Sequence, residues 1–579
     1  MKKPGWLRLP WKRITLDSDG PMPKWVSYMV VLVLSISYFL AFLDQTILST
    51  LTPRVPNDQE ELFQTSWVTA SYLASLNAFM LFYGKIAAIF GPLPILIIAL
   101  LIFLCGSVLT AASTTMVWLI LARALSGLGA AGLISVTQII TASVSPLHER
   151  GRYMGILGAV FGLSTTIGPL VGGLMADNWT WRISFYINIP LVSLSVIVIL
   201  LLVRSDGRHA EPFSEKLARI DFFGALMLVT GLMLLLLGLN WGGRVYPWVS
   251  PVVIICISVG LLLLCVFVFV EGKLVLEPII DPRILRYRNV ALCIFTEVCV
   301  GAVFLNTTFN LPVYYSFTQN SSASESGVRM VPLACGVVVS SILSGWLIAM
   351  FSVYRLVACA GTVIMTLGAG LLCLFDGHIS MGAQAPILII LGSGIGCCIQ
   401  ALLLTAQATV CSDDLAITTA LVTFSQMIGG IMGLAFGSIV SESSTKHYLD
   451  RVIDMNPKYA TDIIKAQNDA NEVWSINIPH AIQQSIIAAY AKGLQHSFIL
   501  ITCLAAVAMV LAACLQSVSQ HKPPTATTTT ATATEDRSRR RTAHSNHHYR
   551  HFEMDSVGSY PRHGFDLHRS DQDEATLAW

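Results

Sequence analysis

The chain of 579 residues is 54% hydrophobic and only 12% charged, with a mean hydropathy of +0.66, against about 25% charged residues in an ordinary soluble domain. This balance excludes a soluble globular protein and marks an integral membrane protein. The net charge of +2 hides an uneven distribution along the chain, and the distribution carries the information.

Crossing roughly 30 Å of hydrocarbon takes about 20 apolar residues in a helix. Read in chain order, the first six candidates are residues 26–50, 67–88, 93–112, 117–140, 153–175 and 183–203. Two follow at 222–240 and 252–270, and six more at 290–311, 328–350, 356–375, 386–410, 416–440 and 497–515. Backbone polar groups in lipid must be satisfied within the protein, so all fourteen are predicted to be helices. The polar, basic segment 1–25 lacks the form of a cleavable leader, and span 1 is expected to anchor the chain. With that segment cytoplasmic, most of the 36 Lys and Arg residues fall in inner segments. The short outer loops are nearly free of them, which favours both termini inside. Two sequons, at Asn178 and Asn320, then fall in outer loops as glycosylation candidates.

The predicted organisation is all-α. Segment 26–203 forms an N-terminal six-helix bundle, and 204–289 consists of charged connectors with two extra spans. Segment 290–515 forms a C-terminal six-helix bundle that includes a long outer loop at 441–496. The stretch AIQQSIIAAYAKGL in that loop has helical periodicity and is expected to lie on the outer surface. Spans 7 and 8 carry almost no polar residue and are expected only to fill lipid. Two six-span sets fit transporters whose halves are related by an axis along the membrane normal. The tail 516–579, with TATTTTATAT, RSRRR and HSNHHYRH, has the composition of a disordered cytoplasmic segment. Its histidines could bind a metal, but a solvated cytoplasmic tail is the plainer reading and no metal site is expected. The 13 cysteines lie in or beside the spans, so no disulfide framework is expected.

Span 5 contains GILGAVFGLSTTIGPLVGG, with Gly155, Gly158, Gly162, Gly168, Pro169, Gly172 and Gly173. In water each interior Gly would cost about 1 kcal/mol and the Pro about 3. At about 100° per residue, Gly151, Gly155, Gly158, Gly162, Thr166, Pro169 and Gly173 form one stripe. Small residues at four-residue spacing let helices approach closely in lipid, and Pro169 with Gly168 allows a kink.

An ionisable group within a span costs at least about 2.5 kcal/mol and is a functional candidate by default. Asp44 in span 1, Arg123 in span 4 and Glu297 in span 9 are such groups. A carboxyl such as Asp44 can load and release a proton, whereas Arg123 is a fixed cation. Glu297 has no basic residue within its span; it is either a proton or cation site or a carboxyl that stays protonated. Gln45, Gln138, Asn306, Asn310, Gln400, Gln407 and Gln426 add neutral hydrogen-bonding groups. Together they suit a cavity for amphiphilic organic molecules.

Several motifs now converge. LDQTILSTLTPRV in span 1, LILARALSGLGAAG in span 4, Gly162 with GPLVGG in span 5, NWTWRISFYINIPL after it and LPVYYSFTQNSSASESGVRMVPL between spans 9 and 10 resemble the major facilitator superfamily. Within it they resemble the fourteen-span drug:proton antiporters, most closely fungal toxin and multidrug efflux pumps. The resemblance implies proton-driven export of hydrophobic compounds such as drugs, toxins or secondary metabolites, with Asp44 and Arg123 in proton coupling. It also implies that the span 5 seam, Gly158, Gly162, Gly168, Pro169, Gly172 and Gly173, seals against leak. In GKIAAIFGPLP, Ala88 and Pro92 stand where the superfamily has an Asp and a basic residue. A charged inner latch at those positions is therefore not expected.

A non-enzymatic monomer without cofactor is expected, working at the cell membrane with protons, lipid and a small hydrophobic substrate as partners. Uptake or vacuolar transport of siderophores or basic amino acids is the same-fold alternative, with a receptor or scaffold built on the tail behind it. An enzyme is disfavoured because the chain holds no GxxxxGK[ST] or HExxH motif.

Overall fold

The computed structural model describes residues 14–15, 24–51, 59–146, 148–178, 181–204, 212–242, 246–273, 275, 278–376, 379–460, 463, 474 and 479–517. Among these, 14 helices are long and apolar enough to cross a membrane. They are α1 (Lys24–Leu51), α2 (Gln59–Phe90), α3 (Pro92–Ala111), α4 (Met116–Val144), α5 (Arg150–Asn178), α6 (Asn188–Leu202, which makes the sixth span together with the short helix Trp181–Tyr186 just before it), α7 (Phe222–Trp241), α8 (Pro251–Lys273), α9 (Arg288–Gln319), α10 (Val331–Phe351), α11 (Tyr354–Leu372), α12 (Met381–Thr409), α13 (Leu415–Met455) and α14 (His480–Ala513). A two-residue parallel ladder between Ile14–Thr15 and Val203–Arg204 is the strand pairing among the described residues.

Polar side chains enter these helices without breaking them because they bond back to their own turn. Ser35 donates to the carbonyl of Val31 at 2.7 Å, Thr141 to Thr137 at 2.8 Å and Thr308 to Phe304 at 2.8 Å, the local bonding expected of hydroxyls inside a helix. Between α2 and α3 the connection is a single residue, Gly91, at φ 90 with Pro92 starting the next helix. Glycine meets that positive φ at little cost, and proline suits the first helical turn.

The packing pattern occurs twice. In the first set α1 packs on α5, and α2 and α3 pack on α4; in the second α9 packs on α13, and α10 and α11 pack on α12. The sets meet reciprocally, with α5 against α10 and α13 against α2. This is the relation a pseudo-twofold axis along the membrane normal produces. The α7–α8 pair lies to one side, with α7 packed on α2 and α8 on α7.

Two sequence expectations change here. In its described parts, segment 441–496 is not a loop carrying a separate surface helix. α13 continues to Met455, and AIQQSIIAAYAKGL is the first half of α14. The extensions bury a small core of their own, including Leu449, Val452, Ile482, Ile486 and Tyr490, and Phe317 at the end of α9 stacks on Tyr490 at 4.0 Å. Hydropathy marks where a helix is in lipid, so its continuation beyond lipid is silent in such a reading. Spans 7 and 8 also do more than fill lipid. α8 buries Val253, Gly260, Phe267 and Glu271. Trp67 and Trp241 meet at 4.8 Å between α2 and α7.

Candidate functional site

Asp44 and Arg123 are brought together. One guanidinium nitrogen of Arg123 pairs with Asp44 Oδ2, both side chains being fully buried. The other donates to the main-chain oxygen of Asp44 at 3.3 Å. Asn188, at the start of α6, donates from Nδ2 to Asp44 Oδ1 at 2.9 Å. Arg123 also lies over the rings of Tyr72 at 4.3 Å and Phe185 at 5.3 Å, close enough for cation–π attraction. Tyr72 is fixed in turn by its hydroxyl bond to the carbonyl of Ala41 at 2.7 Å. The cation therefore has anchors besides the carboxylate. Asn188, Tyr72 and Phe185 were missed from sequence because an amide and two rings beside apolar runs resemble ordinary packing residues.

Nearer the end where α1 begins, Gln138 of α4 donates from Nε2 to Tyr38 of α1 at 3.0 Å and accepts from Thr423 of α13. That chain links the two helix sets. Glu297 of α9 is buried at 1% exposure, and neither carboxylate oxygen has a hydrogen-bond partner among the described residues. Buried Gln45, Gln400 and Gln407 each have an Oε1 without such a partner, and Gln407 Nε2 donates to Thr419 at 3.0 Å. Asn306 is placed differently. Its amide donates to the carbonyl of Gly433 at 3.0 Å and to Ser497 at 3.1 Å, and Ser497 donates back to its oxygen at 3.2 Å. It ties α9, α13 and α14 together.

The glycines of α5 face α10, α12 and α1. Gly151 lies against the carbonyl oxygen of Gly345 on α10, and a methyl group at Gly155 would stand 3.0 Å from the Ser341 carbonyl oxygen. At Gly158 it would meet Gln400 and Ser341, and at Gly162 it would stand 2.9 Å from Val338. Gly168 instead meets Thr46 of α1, whose hydroxyl donates to the Ser164 carbonyl at 3.2 Å. Gly172 is buried in α5. The side-chain surroundings of Pro169, Gly173 and Asn178 lie outside the described residues. Asn320 is exposed at the left-handed end of α9.

A charged contact is present at the end of α2, although not at Ala88 or Pro92. Lys85 is 7% exposed and interacts electrostatically with Glu271 of α8, which also feels Asp221. Asp221 caps α7 through Gly224 at 2.8 Å, and Glu271 accepts from the Ile279 amide at 2.8 Å. The extra helix α8 thus supplies a carboxylate for the lysine.

A duplicated six-helix pattern around buried polar residues is the architecture of a membrane transporter, and the Major Facilitator Superfamily model matches residues 34–434. The chain belongs to this superfamily. It is a multi-pass membrane transporter and not an enzyme. An MFS-type transporter, VdtG, of Byssochlamys spectabilis is 31% identical over 410 residues, covering 70% of this chain and 74% of that one. An MFS-type efflux pump of Arthroderma benhamiae is 29% identical over 486 residues, covering 83% and 90%. The MFS thioclapurine efflux transporter tcpA of Claviceps purpurea is 35% identical over 321 residues, covering 55% and 59%. Among solved structures, the human organic anion transporter MFSD10 aligns with TM-score 0.55 at 11% identity, over 85% of this chain and 100% of that one. At that identity the likeness speaks for the fold.

Proposed function

We propose that this superfamily member is a proton-coupled exporter of hydrophobic organic compounds, acting at the cell membrane with both termini cytoplasmic. Residues 26–203 and 290–515 are its two moving halves, with 204–289 carrying the inserted helix pair and 516–579 a cytoplasmic tail. The observation that carries the reading is the buried Asp44–Arg123 pair with Asn188 on the second carboxylate oxygen. A proton on Asp44 removes the negative charge, while the main-chain oxygen of Asp44 and the rings of Tyr72 and Phe185 still hold Arg123. The carboxyl can thus change charge state without expelling the arginine. Relatives named as efflux pumps and as a thioclapurine efflux transporter support export as the direction.

The α5–α10 crossing serves as the seam on which the halves rock, and the Tyr38–Gln138–Thr423 chain as a contact remade between states. Asn320 is the candidate glycosylation site on the outer side. Inverted vesicles holding the full chain, placed under an imposed proton gradient, test the proposal. Gradient-driven uptake of a hydrophobic probe is expected, and Asp44→Asn should abolish its dependence on the gradient. Unchanged coupling in Asp44→Asn would remove the assignment of that residue. Substrate movement in the opposite direction would make the protein an importer or a vacuolar carrier.

A further inference from the structure

The starts of α9 and α11 meet the end of α14 around an open cavity of about 530 Å³, lined by Arg288, Arg355 and residues 513–517. Arg288 donates from Nη2 to the carbonyl of Cys514 at 3.2 Å, and Arg355 donates from Nη2 to the carbonyl of Ala513 at 3.1 Å. Two guanidinium groups from different helices are thereby held on adjacent carbonyls. Neither has a carboxylate partner among the described residues, and no acidic side chain lines the cavity. Like charges placed together favour an anion between them.

Capping of α14 does not account for the pair. The chain is already fastened there by Asn289, whose side chain donates to the Gln516 carbonyl at 3.1 Å and accepts from its amide at 2.9 Å. Each guanidinium has several N–H donors and uses one of them on α14. The fork of an arginine matches phosphate oxygens in geometry as well as in charge.

Below the arginines the surface is apolar. α11 and α14 run side by side, joined where Cys359 Sγ donates to the Ala512 carbonyl at 3.3 Å and Thr366 to that of Ala505 at 3.0 Å. Leu356, Val363 and Leu367 form one exposed stripe on α11, and Val507 and Val510 are exposed on α14. In a membrane such side chains lie against acyl chains, which are as apolar as leucine. Cations where the helices end and an apolar strip beneath them match the two parts of a phospholipid.

We infer that Arg288 and Arg355 hold the phosphate of an anionic phospholipid, whose acyl chains lie along the α11–α14 face. With both termini cytoplasmic, as proposed above, the lipid belongs to the inner leaflet, where anionic lipids and basic pockets between helices meet. It touches α9, α11 and α14 at once and keeps their ends together while the halves rock. The site is separate from the proton pair and from the cargo.

Native mass spectrometry of the purified full chain tests this with equal amounts of phosphatidylglycerol and phosphatidylcholine of identical acyl chains, and with inorganic phosphate as competitor. Wild type should retain phosphatidylglycerol in preference. Arg288→Gln and Arg355→Gln should each lower that preference about fivefold, and the double variant about thirtyfold. The double substitution Arg288→Lys with Arg355→Lys should keep most of it. Arg283→Gln is the control, since Arg283 lies just before α9, is exposed and pairs with Asp281 at 3.5 Å; it should change nothing. Thermal unfolding without added lipid checks that each variant is folded, and the single variants carry the test if the double one is not. An unchanged preference in the Gln variants, an equal loss in Arg283→Gln, or displacement of the lipid by inorganic phosphate would each overturn the lipid site. The direction of transport is decided separately by the vesicle assay.

Discussion

Asp44 and Arg123, 79 residues apart in the chain, meet as an ion pair in which neither side chain is exposed. Such a pair is costly to split, because removing one partner leaves the other charge buried and uncompensated, at about 3–5 kcal/mol.

Asp44→Asn should therefore destabilise the purified chain by roughly that amount, besides losing gradient dependence. Adding Arg123→Gln should restore most of the stability and none of the coupling. A thermal-unfolding cycle over the two single variants and the double variant measures the interaction directly. A double variant as unstable as Asp44→Asn would mean that the two residues do not act as a unit.

The α5–α10 crossing makes a second prediction. A methyl group at Gly345 would lie 3.1 Å from the Cα of Gly155 and would collide with the Gly151 carbonyl. Gly345→Ala should cost about 1–3 kcal/mol through overpacking and slow transport. Gly370→Ala is the control, since the nearest atom to its new methyl group is Thr502 Cγ2 at 3.9 Å, and it should be neutral or stabilising by up to about 1 kcal/mol. Equal effects in the two variants would show that helix propensity, and not the crossing, sets the result.

Gln138→Leu should cut the hydrogen-bonded chain between Tyr38 and Thr423. Each net hydrogen bond contributes about 1 kcal/mol, so the balance between the two conformations of the halves should shift several-fold. Spin-label distances between the sets, compared with and without the substitution, would read that shift. An unaltered distance distribution would leave the chain with no part in the conformational balance.

Lys85→Met should leave Glu271 and Asp221 facing each other without the lysine. A lower unfolding temperature of the full chain is expected, since the two carboxylates then face each other without a counter-charge. Glu271→Gln in the same background should recover much of it. Failure of that rescue would point to lost packing of the lysine stem and away from its charge.

Much of this was legible in the sequence for physical reasons. Asp44, Arg123 and Glu297 stand out because charge inside twenty apolar residues is expensive. The glycines of α5 stand out because nothing else rewards a helix for carrying so many. Partners across helices were hidden. Asn188 gives no sign that it reaches Asp44, and Asn306 gives none of its bonds to Gly433 and Ser497. Lys85 was overshadowed by the altered residues beside it, Ala88 and Pro92, since its carboxylate partner Glu271 arrives from a helix much later in the chain. The extensions of α13 and α14 leave no hydropathy trace.

The meeting of Gly151 with Gly345 leaves the chain no means of repair at that point. Elsewhere in a packed core an enlarged side chain can be accommodated by trimming its neighbour, but here both sides are already at the smallest size an amino acid offers. Any growth on one helix must be absorbed by separating the two backbones. Second-site suppressors of a substitution at either glycine should therefore arise away from the crossing, at positions that change how the helices tilt, and not in the residue opposite.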